Sequence, residues 1–149
     1  MKLTRNIVIE MCKRYNQEFG IDPLAPTRLN RVITPRQCLI LVLKKRYKIK
    51  EAHIADILEV DRATAYHSIK RAEDLLSVKD PYYVMAIQRW KSIIDEFEEE
   101  MLRVSSVMKH HTTVSVILDV LKKYPEDVAI NILEEAKAEV KTWTIQSMI

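Results

Sequence analysis

The sequence predicts an all-α protein, and three observations predict it. Among 149 residues there is a single glycine, Gly20, and there are five prolines, so helix breakers are scarce. Leu, Ile, Lys, Glu and Ala, which lose little freedom in a helix, are abundant. Apolar residues recur every three or four positions along most of the chain, which is the period of an amphipathic helix. Hydrophobic residues make up 48% and charged residues 30% of the chain, the balance of a folded domain and not of a disordered one.

Helices are expected at about residues 3–19, 35–47, 50–58, 62–76, 81–104, 111–123 and 126–143. The first carries the stripe Ile7, Val8, Met11, Tyr15 and Phe19 and stops at Gly20, the natural left-handed terminator. "IDPLAPTRLNRVITP" follows as a loop with three prolines, closed by Thr34 as N-cap and Pro35 as first-turn residue of the next helix. That helix buries Leu39, Val42, Leu43 and Tyr47 and leaves Lys44, Lys45 and Lys48 outside. Cys12 and Cys38 lie within apolar patterns and read as buried thiols of a reducing compartment.

Two short helices then meet at a tight turn, the spacing of a helix-turn-helix. "IKEAHIADILEV" points Ile54, Leu58 and Val60 inward, with small Ala55 where the helices cross and Glu59 where such turns usually place glycine. Asp61 is expected to cap the second helix, whose buried stripe is Ala65, Ile69, Ala72 and Leu76. Arg62, Ala63, Thr64 and His67 then face outward near its N-terminal end, where recognition helices reach base edges in a major groove. Arginine pairs bidentately with guanine, and Thr or Ala methyls touch the thymine methyl. Lys70 and Arg71, a turn further on, suit phosphates.

Charge supports a polyanionic partner. Residues 1–80 carry 16 Lys or Arg against 10 Asp or Glu, whereas residues 81–149 carry 8 against 11. Between Pro23 and Lys50 there are eight basic residues and no acidic one, which gives a local positive field. Arg31, Lys45 and Lys48 of this segment are expected to contact the DNA backbone. A solvated face is the plainer alternative.

With these pieces in order, residues 4–95 resemble the C-terminal duplex-DNA-binding domain of the bacterial replication initiator DnaA family. "YNQEFGID" is similar to the family's first helix, and "TRLNRVITPRQ" to its basic loop ending in Pro-Arg-Gln. "DRATAYHSIKRAEDL" resembles the signature Asp-His-Thr-Thr and its helix, and "VKDPYYVMAIQRW" the final helix. The resemblance implies that Asp61, Arg62, Ala63 and Thr64 read bases in the major groove with His67 beside them. It implies Arg28 as the minor-groove arginine and Arg36 and Lys44 as backbone contacts. Arg62 stands where the family has His, Ala63 where it has its first Thr, and Ala52 where it has Pro; the turn is one residue shorter and lacks Gly-Gly. Duplex binding is therefore implied, and the family's particular box sequence is not.

Enzymatic activity is not expected. A chain whose one glycine is Gly20 holds neither a Gly-rich phosphate loop nor a Gly-x-Ser-x-Gly elbow, so the initiator's ATPase module is missing. "EFEEE" (residues 96–100) reads as a solvated helix face, and adjacent His110 and His111 splay too widely for one ion, so neither metal nor cofactor is expected. The longest apolar runs, such as "CLILVL", are too short for a membrane span, and the charged N-terminus does not read as a signal peptide. The expected location is the cytoplasm of a bacterial or phage-infected cell.

The expected organisation is a helix-turn-helix DNA-binding domain over residues 1–96 and an acidic helical extension over residues 97–149. The stripe Val84, Ile87, Trp90, Ile94, Phe97, Met101 and Val104 runs past the resemblance, and the tail "WTIQSMI" is apolar. Both suit packing within the chain or self-association. The leading expectation is sequence-preferring double-stranded DNA binding by a regulator or replication-associated factor. The alternatives are a structural or assembly protein, for example of a phage particle, and an anti-initiator occupying the host initiator's boxes.

Overall fold

Helices α1 (Arg5–Phe19), α2 (Asn30–Tyr47), α3 (Glu51–Leu58), α4 (Arg62–Ser77) and α5 (Pro81–His110) follow one another without a strand among the described residues. A further helix, α6, covers residues 126–135. The structure, a computed structural model, describes residues 2–110 and 121–135, with the side chains of 107–110 left aside. The helix expected at 111–123, except for its last three residues, lies outside the described residues. So do the end of the 126–143 helix, His111 and the tail "WTIQSMI". The chain is all-α, divided into two compact units: residues 8–95, and residues 1–7 with 96–149.

The unit of residues 8–95 is built around aromatic and branched side chains that the helical period brings inward. Tyr15, Met11, Leu39, Leu43, Ile54, Trp90 and Ile93 are almost fully buried. Tyr15 stacks on Trp90 at 4.3 Å between ring centroids, and the Trp90 indole Nε1–H donates to the Pro35 carbonyl at 2.7 Å. That bond supplies the partner a buried indole requires. Cys12 and Cys38 are free and buried; burial pushes each thiol up to about 12, so both stay protonated at neutral pH.

Pro35 does not open α2. The helix begins at Asn30, five residues earlier, and carries Pro35 inside it. Leu29 stands at the N-cap with no side-chain hydrogen bond, and the N–H groups of Val32 and Ile33 bond the Leu29 carbonyl. Proline is costly in a helix interior because it removes one i→i−4 bond and crowds the preceding turn. Here only about one turn lies before it. Its ring is buried, and its carbonyl holds Trp90. The loop shrinks accordingly to residues 20–29.

With one glycine in the chain, helix ends fall on other residues. Lys48, Glu59 and Lys79 all take positive φ, between 53° and 57°, beside Gly20 at 70°. Glu59 closes α3: its N–H bonds the Ala55 and Asp56 carbonyls, and the Val60 N–H returns to Ala55 at 3.0 Å. This left-handed residue turns the chain into α4 in the place glycine usually holds. Left-handed φ costs a non-glycine residue about 1 kcal/mol or more. Lys79, exposed and left-handed just after α4, carries the same cost, so Lys79→Gly is expected to raise stability by ~0.5–1 kcal/mol in urea unfolding. An unchanged or lower midpoint would refute it.

Asp61 occupies the N-cap of α4 in extended conformation, but its side chain makes no capping bond, contrary to expectation. The capping carboxylate lies instead at Asp80, whose Oδ1 accepts the N–H groups of Tyr82 and Tyr83 at 3.0 and 3.3 Å at the start of α5. α4 packs on α2 and α3 through Ala65, Ser68, Ile69 and Ala72; Leu76 is only half-buried.

In the other unit, Leu3, Ile7, Phe97, Met101, Val128 and Ile132 are buried. Asn6 Nδ2 donates to Asp127 Oδ1 at 2.7 Å, and the Tyr124 hydroxyl to Glu100 at 2.9 Å. Burial acts to raise the Asp127 carboxyl, but hydrogen bonds from Thr4, Asn6 and backbone N–H groups hold it below its ordinary value. Among the described residues no helix is long and apolar enough to cross a membrane.

Candidate nucleic-acid interface

The face of α4 opposite its buried stripe is fixed by helical geometry. Ala65, Ser68, Ile69 and Ala72 turn inward, so residues 62–64, 66–67 and 70–71 turn out. Arg62, Ala63, Thr64, His67, Lys70 and Arg71 are all exposed, as is Asp61. Arg62, Lys70 and Arg71 make no ion pair among the described residues. Thr64, His67, Ser68, Lys70, Arg71 and Asp74 line a depression on α4, with Gln37 of α2 on its far side.

The basic segment divides into two groups. Lys44 Nζ lies 2.5 Å from Glu51 Oε1 and Lys45 Nζ 3.3 Å from Glu73 Oε1, which ties the end of α2 to α3 and α4. The Glu51 hydrogen bond pushes the Lys44 ammonium above its usual value and the Glu51 carboxyl below. Arg46 reaches Asp95 at 2.5 Å. Arg36, expected on the DNA backbone, donates from Nε to the Pro23 carbonyl at 2.7 Å and from Nη2 to the Ala25 carbonyl. It fastens the proline loop to α2. Local acids were invisible between Pro23 and Lys50 because the partners come from elsewhere in the chain.

Arg28, Arg31, Lys48 and Lys50 form the second group: all are exposed, and none makes an ion pair among the described residues. Arg31, at the start of α2, lines the same cavity as Arg71 of α4. Of the cations before and within α2 and those of α4, Arg31 and Arg71 share this lining. Two features were missed by sequence reading. Tyr66, 53% exposed, stands edge-on to His67 at 5.6 Å between ring centroids. Arg89 of α5 lies 4.5 Å over the Phe19 ring and shares the cavity with Arg31 and Arg71. Tyr66 was legible as the i+4 neighbour of Arg62; the arginine cluster needed the tertiary fold.

Among the described residues no three His, Cys, Asp or Glu side chains are grouped to hold a metal ion. Compared with protein-family models, with curated proteins and with solved structures, the chain matches none.

Proposed function

We propose that the chain is a non-enzymatic, sequence-preferring binder of double-stranded DNA, acting as a transcription regulator or replication-associated factor, with α3 and α4 as its helix-turn-helix. The observation that carries this reading is the outward face of α4. Arg62, Thr64 and His67 are exposed at its N-terminal end, and Lys70 and Arg71 follow without ion pairs among the described residues. A major groove about 12 Å wide admits such a helix and offers guanine and thymine groups to arginine and threonine. The likeness of residues 4–95 to the DnaA C-terminal domain points the same way. Asp61 and Ala63 complete the face, Arg28 suits a neighbouring minor groove, and Arg31 and Lys48 suit phosphates.

Selection from a random duplex pool tests this directly. A defined site should be enriched, and its affinity should fall about a hundredfold or more between 50 and 200 mM salt, since each phosphate neutralised contributes about 0.9 to the salt slope. No enrichment, or binding indifferent to salt, would remove the reading.

A structural or assembly role is favoured by exposed apolar side chains, chiefly Tyr66, Tyr82 and Met85, which suit a protein partner. Salt-insensitive association would support it. In the unit of residues 1–7 with 96–149, Leu102, Ile130 and Leu133 are exposed, and we propose self-association there. Pairing two readers on two half-sites would raise affinity for the duplex. Light scattering should give a dimer for the intact chain and a monomer for Leu102→Glu combined with Ile130→Glu; equal masses would refute it.

A further inference from the structure

Where the start of α2, the second half of α4 and the first turns of α5 approach one another, they enclose a cavity of about 590 Å³. Its size falls within the range of small-molecule sites, roughly 300–1,000 Å³. Three guanidinium groups line it, Arg31, Arg71 and Arg89, against one carboxylate, Asp80. Asp80 Oδ1 already accepts the Tyr82 and Tyr83 N–H groups, while Arg31 and Arg71 have no ion pair among the described residues. The cavity therefore carries excess positive charge.

Its lining also holds a buried phenol beside Arg89. Tyr15 is 0% exposed, and its hydroxyl completes no hydrogen bond. Burial raises the phenol above its usual value, while Arg89 beside it acts in the opposite direction. Asn30 and Thr34 add polar groups at the start of α2, and Leu75, Ala86, Tyr82 and Met85 give the wall an apolar side.

We propose that this cavity binds a small organic anion with a planar apolar body. The charged head lies on the guanidinium groups, whose fork fits a carboxylate or phosphate bidentately. The body lies against Leu75, Tyr82 and Met85. A duplex phosphate would use the surface cations, but it has no use for the apolar side of this cavity. The site does not depend on whether the chain reads DNA, and its test contains no nucleic acid.

Calorimetric titration of the intact chain with 2-naphthoate supplies that test, with neutral 2-naphthamide and inorganic phosphate as comparisons. Naphthoate should bind saturably at one site, and each comparison compound at least tenfold more weakly. Arg31→Gln, a surface change, should weaken naphthoate about tenfold with an unaltered melting curve; Met85→Trp should narrow the cavity and abolish binding. Four results would each overturn the proposal. They are no saturable binding, equal binding of the amide (an apolar patch only), equal binding of phosphate (a cation cluster only), and full affinity in both variants.

Discussion

Trp90→Ala is expected to cost about 3–5 kcal/mol, the range for deleting a large aromatic side chain from a packed core. The unit of residues 8–95 should then keep only a narrow margin of stability if it starts near the lower end of the usual range of about 5–15 kcal/mol. Three losses coincide at this residue. The indole is 0% exposed, it stacks on Tyr15, and its N–H occupies the Pro35 carbonyl within α2. Removing it opens a void beside a proline-bearing helix whose backbone already forgoes one hydrogen bond. Trp90→Phe separates the terms: most of the volume returns, the hydrogen bond does not, and a cost of ~1–2 kcal/mol should remain. Denaturant unfolding followed by far-UV circular dichroism measures both. A loss below ~1.5 kcal/mol for the alanine variant would mean that α5 is not anchored to α2 through this residue.

Such a contact also shows why some of the structure was legible and some was not. Periodicity found α1, α3 and α4 to within two residues, because each has a polar face and an apolar stripe that only a helix reconciles. It marked the outward side of α4 from the buried positions alone. Pro35 misled, because a proline near a helix start is ordinarily its first residue; only the Trp90 indole and the buried ring show what the residue does inside α2. Asp61 misled in a similar way: its backbone sits at the cap, but its side chain does not bond there. The basic segment was legible as charge and not as availability. Lys44 and Lys45 meet Glu51 and Glu73, and Arg36 holds the Pro23 and Ala25 carbonyls, all partners fixed by the tertiary fold. The arginines around the cavity come from α2, α4 and α5, and no spacing in a sequence announces them.

Three substitutions separate the roles assigned to these cations in duplex binding. Arg62 lies exposed at the opening of α4, the place that the proposed duplex binding assigns to base reading, so Arg62→Ala should cost about 1–3 kcal/mol against the selected site. Its affinity for random duplex should change far less, so discrimination collapses while the salt slope falls by no more than about 1. Lys70, two turns on and free of ion pairs among the described residues, suits a phosphate. Lys70→Ala should weaken selected and random duplexes equally and reduce the salt slope by about 1. Lys44→Ala is the control: with its ammonium held on Glu51, it should leave both affinities within about twofold. Fluorescence anisotropy at several salt concentrations reads all three. Equal losses from Arg62→Ala on selected and random duplex would take the base-reading role from this face, and a large loss from Lys44→Ala would show that the duplex displaces Glu51.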